Sequence, residues 1–220
     1  MKPIRVLLAD DQQLLRTGFK LVLGTEPDLD IVGEATDGVE AVEMARRLLP
    51  DVVLMDVRMP RRDGVAATRE IVAQKLPVRV LILTTFDLDD YVYEALRAGA
   101  SGFVLKDDPP EQLIAAVHTI AAGDALLSPA VTKRVIQHFT RLNRHAPPRV
   151  FESLTTRELD VYRLITRGLS NAEIGRELFI SETTVKTHVT RLLQKLDVRD
   201  RAQAIVLAYQ SGLFDASDLA

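Results

Sequence analysis

The sequence of 220 residues contains no cysteine, which excludes disulfide bonds and thiolate-bound metals. It also lacks any apolar run near the roughly 18 residues that a membrane-spanning helix needs. The first residues, MKPIR, lack the long apolar segment of a signal peptide. The composition is otherwise that of an ordinary globular protein, with 47% hydrophobic and 27% charged residues. Together these features predict a cytoplasmic protein.

Charge is unevenly distributed along the chain. Residues 1–125 carry 14 Lys+Arg and 21 Asp+Glu, a balance of −7, whereas residues 126–220 carry 14 and 10, a balance of +4. The two values sum to the net charge of −3. An acidic half joined to a basic half indicates two domains with different partners, with chance composition as the alternative.

The first half of the sequence alternates between short apolar runs and segments with helical spacing. Phe19, Val22 and Leu23, for example, share one face of a predicted helix. Five such units predict a doubly wound parallel sheet of five strands with helices on both faces. The expected strands are Ile4–Ala9, Ile31–Ala35, Val52–Met55, Val78–Leu83 and Gly102–Leu105.

The second half shows no strand pattern after Leu154, so we expect a small all-α domain there. The boundaries are predicted as residues 1–124 for the first domain, 125–150 for a linker and 151–220 for the second domain. The linker has the spacing of a short helix from Ser128 to about Leu142, followed by a segment rich in proline. The expected helices of the second domain are Thr156–Arg167, Asn171–Leu178, Glu182–Leu196 and Arg201–Ser211.

Polar side chains follow four of the five expected strands. Asp10 and Asp11 follow the first, Asp56 the third, Thr84 the fourth and Lys106 the fifth. The carboxyl ends of parallel strands lie along one edge of the sheet, where ligands bind. We therefore expect these five side chains to surround one crevice.

Carboxylates gathered in this way favour a hard divalent cation such as Mg²⁺. An aspartate can also act as a nucleophile and form an acyl phosphate, with an ammonium group offsetting the charge. Each residue alone has a simpler interpretation. Asp56, or the pair Asp10 and Asp11, can be helix caps or turn residues, and Lys106 can be a solvated surface lysine. The joint placement favours a phosphoryl-transfer site.

Residues 4–123 resemble the receiver domain of two-component response regulators, a flavodoxin-like α/β fold. The matching segments are "LLADD", "LMDVRMPRRDG", "LILTTFD" and "GFVLKD". The resemblance implies that Asp56 is phosphorylated by a sensor histidine kinase. It implies Mg²⁺ as cofactor, bound by Asp11, Asp56 and the backbone carbonyl of Arg58, with Asp10 acting through a water. Thr84 and Phe103 would form the switch pair, and Lys106 would contact the phosphate.

The second domain has the capping pattern of a helix-turn-helix. Thr155 and Glu158 have the spacing of a capping box, and Ser181 is placed to cap the next-to-last helix. Val185, Val189 and Leu192 would face inward on that helix, leaving short hydroxyls and cations outside, which suits a DNA groove. The alternative is a small helical bundle with a solvated, charged face.

This stretch resembles the LuxR-type DNA-binding domain in "LTTRE", "GLSNAEI", "LFISETTVKTHV" and "KLDVRDRAQAI". Its combination with a receiver resembles the NarL/FixJ class of response regulators. The resemblance implies that residues 182–196 form the recognition helix, with Lys186, Thr187 and Thr190 as base contacts. The implied phosphate contacts are Asn171, Thr183, Thr184, Arg191 and Lys195.

From these features we expect a transcription regulator in which phosphorylation of Asp56 changes dimerisation and DNA binding. Dimerisation, release of the basic domain, or both would follow the modification. The protein would bind double-stranded DNA as a homodimer and would not be an enzyme beyond self-catalysed phosphorylation and dephosphorylation. A phosphatase of the haloacid dehalogenase type is a second hypothesis, but its general acid would lie at Arg58. A third is a DNA-binding protein with a purely structural receiver, which the intact acidic set disfavours.

Overall fold

The computed structural model describes residues 2–84, 89–123 and 149–213. The helix predicted at 128–142 lies outside these ranges. The chain divides into two compact units, Met1–Leu126 and Leu127–Ala220. Within the ranges described, no helix is both long enough and apolar enough to cross a bilayer.

The first unit contains a parallel sheet of five strands in the order β2-β1-β3-β4-β5. The strands are β1 Ile4–Ala9, β2 Leu29–Ala35, β3 Val52–Asp56, β4 Arg79–Thr84 and β5 Gly102–Leu105. The helices are α1 Gln13–Leu23, α2 Gly38–Leu48, α3 Gly64–Ala73, α4 Asp89–Ala98 and α5 Pro110–Ala121. The order reverses between β1 and β3, so the prediction of a doubly wound α/β sheet is confirmed.

Burial of the sheet follows from the apolar runs. All five residues of β3 are buried, including Asp56 at its end. Leu54 and Leu81 of the sheet share one core cluster with Leu113 and Val117 of α5. A strand that is covered on both faces needs apolar residues at nearly every position. This explains why the apolar residues of β3 form a continuous run and do not alternate with polar ones.

Strand β2 begins two residues earlier than the sequence pattern suggests. Leu29 is buried and pairs with Ile4 of β1, while the intervening Asp30 is exposed at the edge of the sheet. A charged residue within an edge strand hides the strand's true start from a search for continuous apolar runs.

The second unit is helical throughout its described part. A short 3-10 helix at Arg149–Ser153 precedes α6 Thr156–Thr166, α7 Asn171–Glu177, α8 Glu182–Leu196 and α9 Arg201–Gln210. Two tyrosines lie in its core. Tyr162 donates a hydrogen bond to the carbonyl of Ala204 (2.7 Å), and Tyr209 donates one to the carbonyl of Thr166 (2.9 Å). A buried hydroxyl needs a hydrogen-bond partner, and here each tyrosine finds its partner on the other helix. The two bonds therefore join α6 to α9.

Candidate functional site

The carboxyl edge of the sheet brings together side chains that are far apart in sequence. Asp56 pairs in register with Leu83, and Thr84 pairs with Leu105, so the ends of β3, β4 and β5 are level. The backbone N–H of Lys106 donates to the carbonyl of Thr84 at 2.8 Å. We call the resulting cavity of about 270 Å³ the acidic crevice; Asp11, Asp56, Thr84 and Lys106 are among the residues that line it.

Lys106 occupies the centre of this site. Its Nζ atom lies 2.8 Å from Asp10 Oδ2 and 3.0 Å from Asp56 Oδ1. The side chains of Lys106, Asp10 and Asp56 are only 4%, 1% and 7% exposed. Lys106 is therefore not a solvated surface lysine. A buried ammonium between two carboxylates offsets a repulsion that would otherwise be costly.

The ionisation of Asp56 reflects opposing effects. Burial raises the pKa of its carboxyl group, the hydrogen bond and charge of Lys106 lower it, and the negative charge of Asp10 raises it again. The backbone N–H of Arg58 also donates to this carboxylate and lowers its pKa. The net result is a raised pKa, so an additional cation close to Asp56 would favour the ionised form that a nucleophile requires.

The acidic crevice fits a divalent cation. Carboxylate oxygens of Asp10, Asp11 and Asp56 all lie within 4.8 Å of one another. Asp10 Oδ2 is buried and has no hydrogen-bond partner among the described residues, because Lys106 meets it at ion-pair distance without hydrogen-bond alignment. Asp11 is exposed and reaches the same point from the solvent side. Three oxygen donors with one open flank suit a hard ion that keeps some of its water.

A glycine at the start of α3 fixes the geometry of this site. A Cβ atom on Gly64 would lie 1.9 Å from the carbonyl oxygen of Asp56, and the Gly64 N–H donates to the carbonyl of Val57 at 2.9 Å. Asp63 caps α3 by accepting from the N–H of Ala66. The position of Gly64 in "RRDG" marks a turn, but the sequence pattern does not indicate its close approach to Asp56.

Arg58 and Tyr91 form one wall of the acidic crevice. The Arg58 guanidinium lies 5.3 Å from the centroid of the Tyr91 ring, within the range of a cation–π contact. The same two residues line a second cavity of about 510 Å³ between α3 and α4. Phe103, which with Thr84 forms the expected switch pair, is buried in β5. Its backbone is in register with Ile82 of β4.

The second unit presents α8 as an amphipathic helix. Ser181 caps it by accepting from the N–H of Thr184. Val185, Val189 and Leu192 are buried, as expected. The expected DNA contacts that are exposed on this helix are Thr183, Thr184, Lys186, Thr187, Thr190 and Arg191.

Two expected phosphate contacts are engaged inside the domain. Lys195 donates to Glu158 Oε2 at 2.7 Å and to the carbonyl of Ser153 at 3.0 Å. Asn171 is buried, and its Oδ1 accepts from Arg201 at 3.2 Å. Their contacts with DNA phosphates remain predictions, and the structure gives both side chains a role in holding the domain together.

Both units match known families. Residues 6–118 match the response regulator receiver domain, and residues 152–208 match the bacterial regulatory proteins of the luxR family. The transcriptional regulatory protein LiaR of Bacillus subtilis (strain 168) is 42% identical over 96% of this chain and 99% of its own length. The nitrate/nitrite response regulator protein NarL of Escherichia coli (strain K12) is 38% identical over 97% and 98%. The crystal structure of the response regulator ChrA, from a heme-sensing two-component system, shares 36% identity over 97% of this chain and 100% of its own, with a TM-score of 0.54.

Proposed function

Because this chain belongs to the NarL/FixJ class of response regulators, which join a receiver domain to a LuxR-type DNA-binding domain, we propose that phosphorylation of Asp56 switches its binding to DNA. The observation that carries this proposal is the buried ammonium of Lys106 between Asp10 and Asp56. A sensor histidine kinase supplies the phosphoryl group. We propose residues 1–124 as the receiver, 125–150 as the linker and 151–220 as the DNA-binding domain.

Asp56 is the nucleophile. One of its carboxylate oxygens attacks phosphorus, the bond from phosphorus to the phosphohistidine nitrogen breaks, and the imidazole leaves with the electron pair and takes up a proton. The product is an acyl phosphate on Asp56. The protein receives the group and is not an enzyme beyond catalysing its own phosphorylation and dephosphorylation.

The other residues of the acidic crevice balance charge. Asp11, Asp56 and the backbone carbonyl of Arg58 would bind Mg²⁺, with Asp10 acting through a water, and the bound ion would offset charge on the phosphoryl group. Lys106 exchanges its contact with the Asp56 carboxylate for one with a phosphate oxygen. The hydroxyl of Thr84 donates a hydrogen bond to another phosphate oxygen.

Phosphorylation adds a charge of about −1.5 to −2 at the end of β3. Thr84 moves toward the phosphate and Phe103 fills the space that it leaves, which alters the face formed by α4, β5 and α5. The protein then dimerises and presents two copies of α8 to DNA half-sites about one helical turn apart. Lys186, Thr187 and Thr190 contact bases, and Thr183, Thr184 and Arg191 contact phosphates. Asn171 and Lys195 contact phosphates more weakly, because their side chains are also engaged inside the domain.

A phosphatase of the haloacid dehalogenase type is not supported. Its general acid would lie two residues after the nucleophile, where this chain has Arg58, stacked over Tyr91. A guanidinium keeps its proton at every physiological pH and cannot donate it to a leaving group.

The test combines phosphate labelling with DNA binding. Purified full-length protein is incubated with radiolabelled acetyl phosphate and Mg²⁺, and its binding to promoter DNA from genome-wide mapping is then measured. D56N is expected to abolish both labelling and the phosphate-stimulated binding. D30N, which changes an exposed aspartate in β2, is the matched control and should behave like the wild type. Labelling of D56N at the wild-type level would refute the assignment.

A further inference from the structure

The turn between α7 and α8 contains an unusual aromatic residue. Phe179 has a φ angle of +55° and is 94% exposed. Its N–H donates to the carbonyl of Arg176, and the N–H of Ile180 donates to that of Gly175. These two bonds are the pair that ends a helix in a Schellman motif, in which the residue corresponding to Phe179 is usually glycine or asparagine.

Phenylalanine is an unfavourable choice at this position on two counts. The left-handed backbone conformation is disfavoured for any residue with a side chain, and a bulky residue adopts it rarely. The ring also stays in water instead of entering the core. Glycine would make the same two backbone hydrogen bonds without either cost, so the turn itself does not require the ring.

Other residues fix the position of the turn. A Cβ atom on Gly175 would lie 2.8 Å from the carbonyl oxygen of Ile180, so the chain passes very close to α7. Arg157 of α6 donates to the carbonyl of Leu178 at 2.8 Å. Phe179 therefore projects from a constrained backbone, which fixes the direction of its Cα–Cβ bond away from the core.

The location of the ring indicates its partner. Phe179 precedes Ser181, the N-cap of α8, by two residues, and the exposed Thr183 and Thr184 follow in the first turn. In helix-turn-helix proteins, the N-terminal residues of the recognition helix approach the base edges. A side chain at this end lies at the border of the major groove when the helix is docked.

We propose that Phe179 is a further DNA-contacting residue, whose ring packs against apolar atoms at the edge of each half-site. This inference rests on the proposed function in one respect, namely that α8 enters the major groove. The apolar atoms available there are the C5-methyl group of thymine and the deoxyribose carbons. Strained backbone positions are concentrated at functional sites, which agrees with this placement.

An apolar contact and a phosphate contact differ in their response to salt. Loss of a cation at a phosphate reduces the slope of log affinity against log salt concentration, because fewer counterions are released. Loss of the Phe179 ring removes no charge. Its removal should therefore lower affinity by the same factor at every salt concentration.

The experiment uses the full chain activated with beryllofluoride and Mg²⁺. The probe is a duplex obtained by in vitro selection with the wild-type protein, and binding is followed by fluorescence anisotropy over a range of KCl concentrations. F179G and F179N should lower affinity by about 5- to 20-fold with an unchanged salt slope. Both variants should retain or raise the thermal stability of the second unit, because they suit a positive φ. F179Y keeps the ring and should bind like the wild type.

A second duplex, with deoxyuridine in place of thymine, distinguishes the two sources of apolar contact. If the ring contacts a thymine methyl group, the wild type binds the deoxyuridine duplex more weakly than the thymine duplex, whereas F179G has the same affinity for both. If the ring contacts deoxyribose, the wild type also has the same affinity for both duplexes, and so does F179G. If F179G binds with wild-type affinity, the proposed contact between Phe179 and DNA is refuted, while the proposed function of the protein is not. If F179G loses affinity and sedimentation shows that it no longer dimerises, the ring belongs to a contact between two copies of the chain. That outcome also refutes the proposed contact with DNA. Failure of the activated wild type to bind any duplex would instead refute the proposed function.

Discussion

Lys195 Nζ lies 2.7 Å from Glu158 Oε2, so the last turn of α8 is paired with the first turn of α6. The same carboxylate accepts from the N–H and the hydroxyl of Thr155, at 2.8 and 2.9 Å, in the capping box of α6. Burial raises the pKa of Glu158, but the hydrogen bonds from Lys195 and Thr155 outweigh that effect and lower the pKa to about 2. One carboxylate thus stabilises the start of α6 and holds the last turn of α8 against it.

The first prediction concerns pH and E158Q. Glutamine can keep the capping bonds but not the charge, so at neutral pH the free energy of unfolding of the second unit should fall by about 1–2 kcal/mol. The folded pKa, about 2, is below the ordinary value of 4.5, so this stability is complete above pH 4.5 and lost as the pH falls toward 2. The difference between wild type and E158Q should therefore shrink over that window. Urea titration followed by NMR signals of α6 and α8 measures it.

Glu152 provides the matched control, because it is an exposed carboxylate in the adjacent 3-10 helix. E152Q should leave the pH dependence unchanged. A gap between wild type and E158Q that stays constant down to the lowest pH would show that the charge of Glu158 does not contribute.

The second prediction separates Lys195 from Arg191 in DNA binding. Arg191 is exposed, whereas Lys195 is engaged with Glu158 and Ser153. R191Q should reduce the slope of log affinity against log salt by about 1, as expected for one lost phosphate contact. K195Q should lower the thermal stability of the second unit with a smaller change in slope. An equal loss of slope in both variants would assign Lys195 directly to a phosphate.

The third prediction concerns removal of Lys106. K106M leaves Asp10 and Asp56 facing each other in a buried site, so the free energy of unfolding of the receiver should fall by about 3 kcal/mol in EDTA. Mg²⁺ should raise the unfolding temperature of K106M more than that of the wild type, because it replaces the missing positive charge. Calorimetry with and without Mg²⁺ measures both effects. K2M, at an exposed position, serves as the control, and a Mg²⁺ response in K106M no larger than in K2M would contradict the account.

The fourth prediction compares two glycines. G64A should lower the free energy of unfolding of the receiver by about 1–3 kcal/mol and slow labelling by acetyl phosphate, because the new methyl group displaces the loop that carries Arg58. G18A is the matched control, since nothing lies within 4 Å of its Cβ position on α1. Alanine there should stabilise the helix by about 0.5–1 kcal/mol without changing labelling. Equal labelling rates for G64A and wild type would show that the loop tolerates displacement.

Much of the fold and the crevice follows from local rules. The spacing of Thr155 and Glu158 predicted the capping box, which is confirmed. Apolar runs predicted the five parallel strands, and the rule for strand ends then brought Asp10, Asp56 and Lys106 to one edge of the sheet. These features are readable because they depend on neighbours in sequence or on a general property of parallel sheets.

Other features depend on packing between distant segments. Helical spacing puts Lys195 on the polar outer face of α8. That spacing gives no information about the approach of Glu158, which is 37 residues away in sequence. Phe179 carries none of the local signs of a left-handed residue, because that conformation favours glycine and asparagine. The clash that makes Gly64 necessary arises only when the start of α3 packs against the end of β3.

The charged triad of the receiver draws its members from the beginning and the end of that domain, Asp10 after β1 and Lys106 after β5. A chain still emerging from the ribosome, or one cut before residue 106, has Asp10 and Asp56 but not the lysine that lies between their carboxylates. The charged triad is thus completed late in biosynthesis, after the fifth strand has been added.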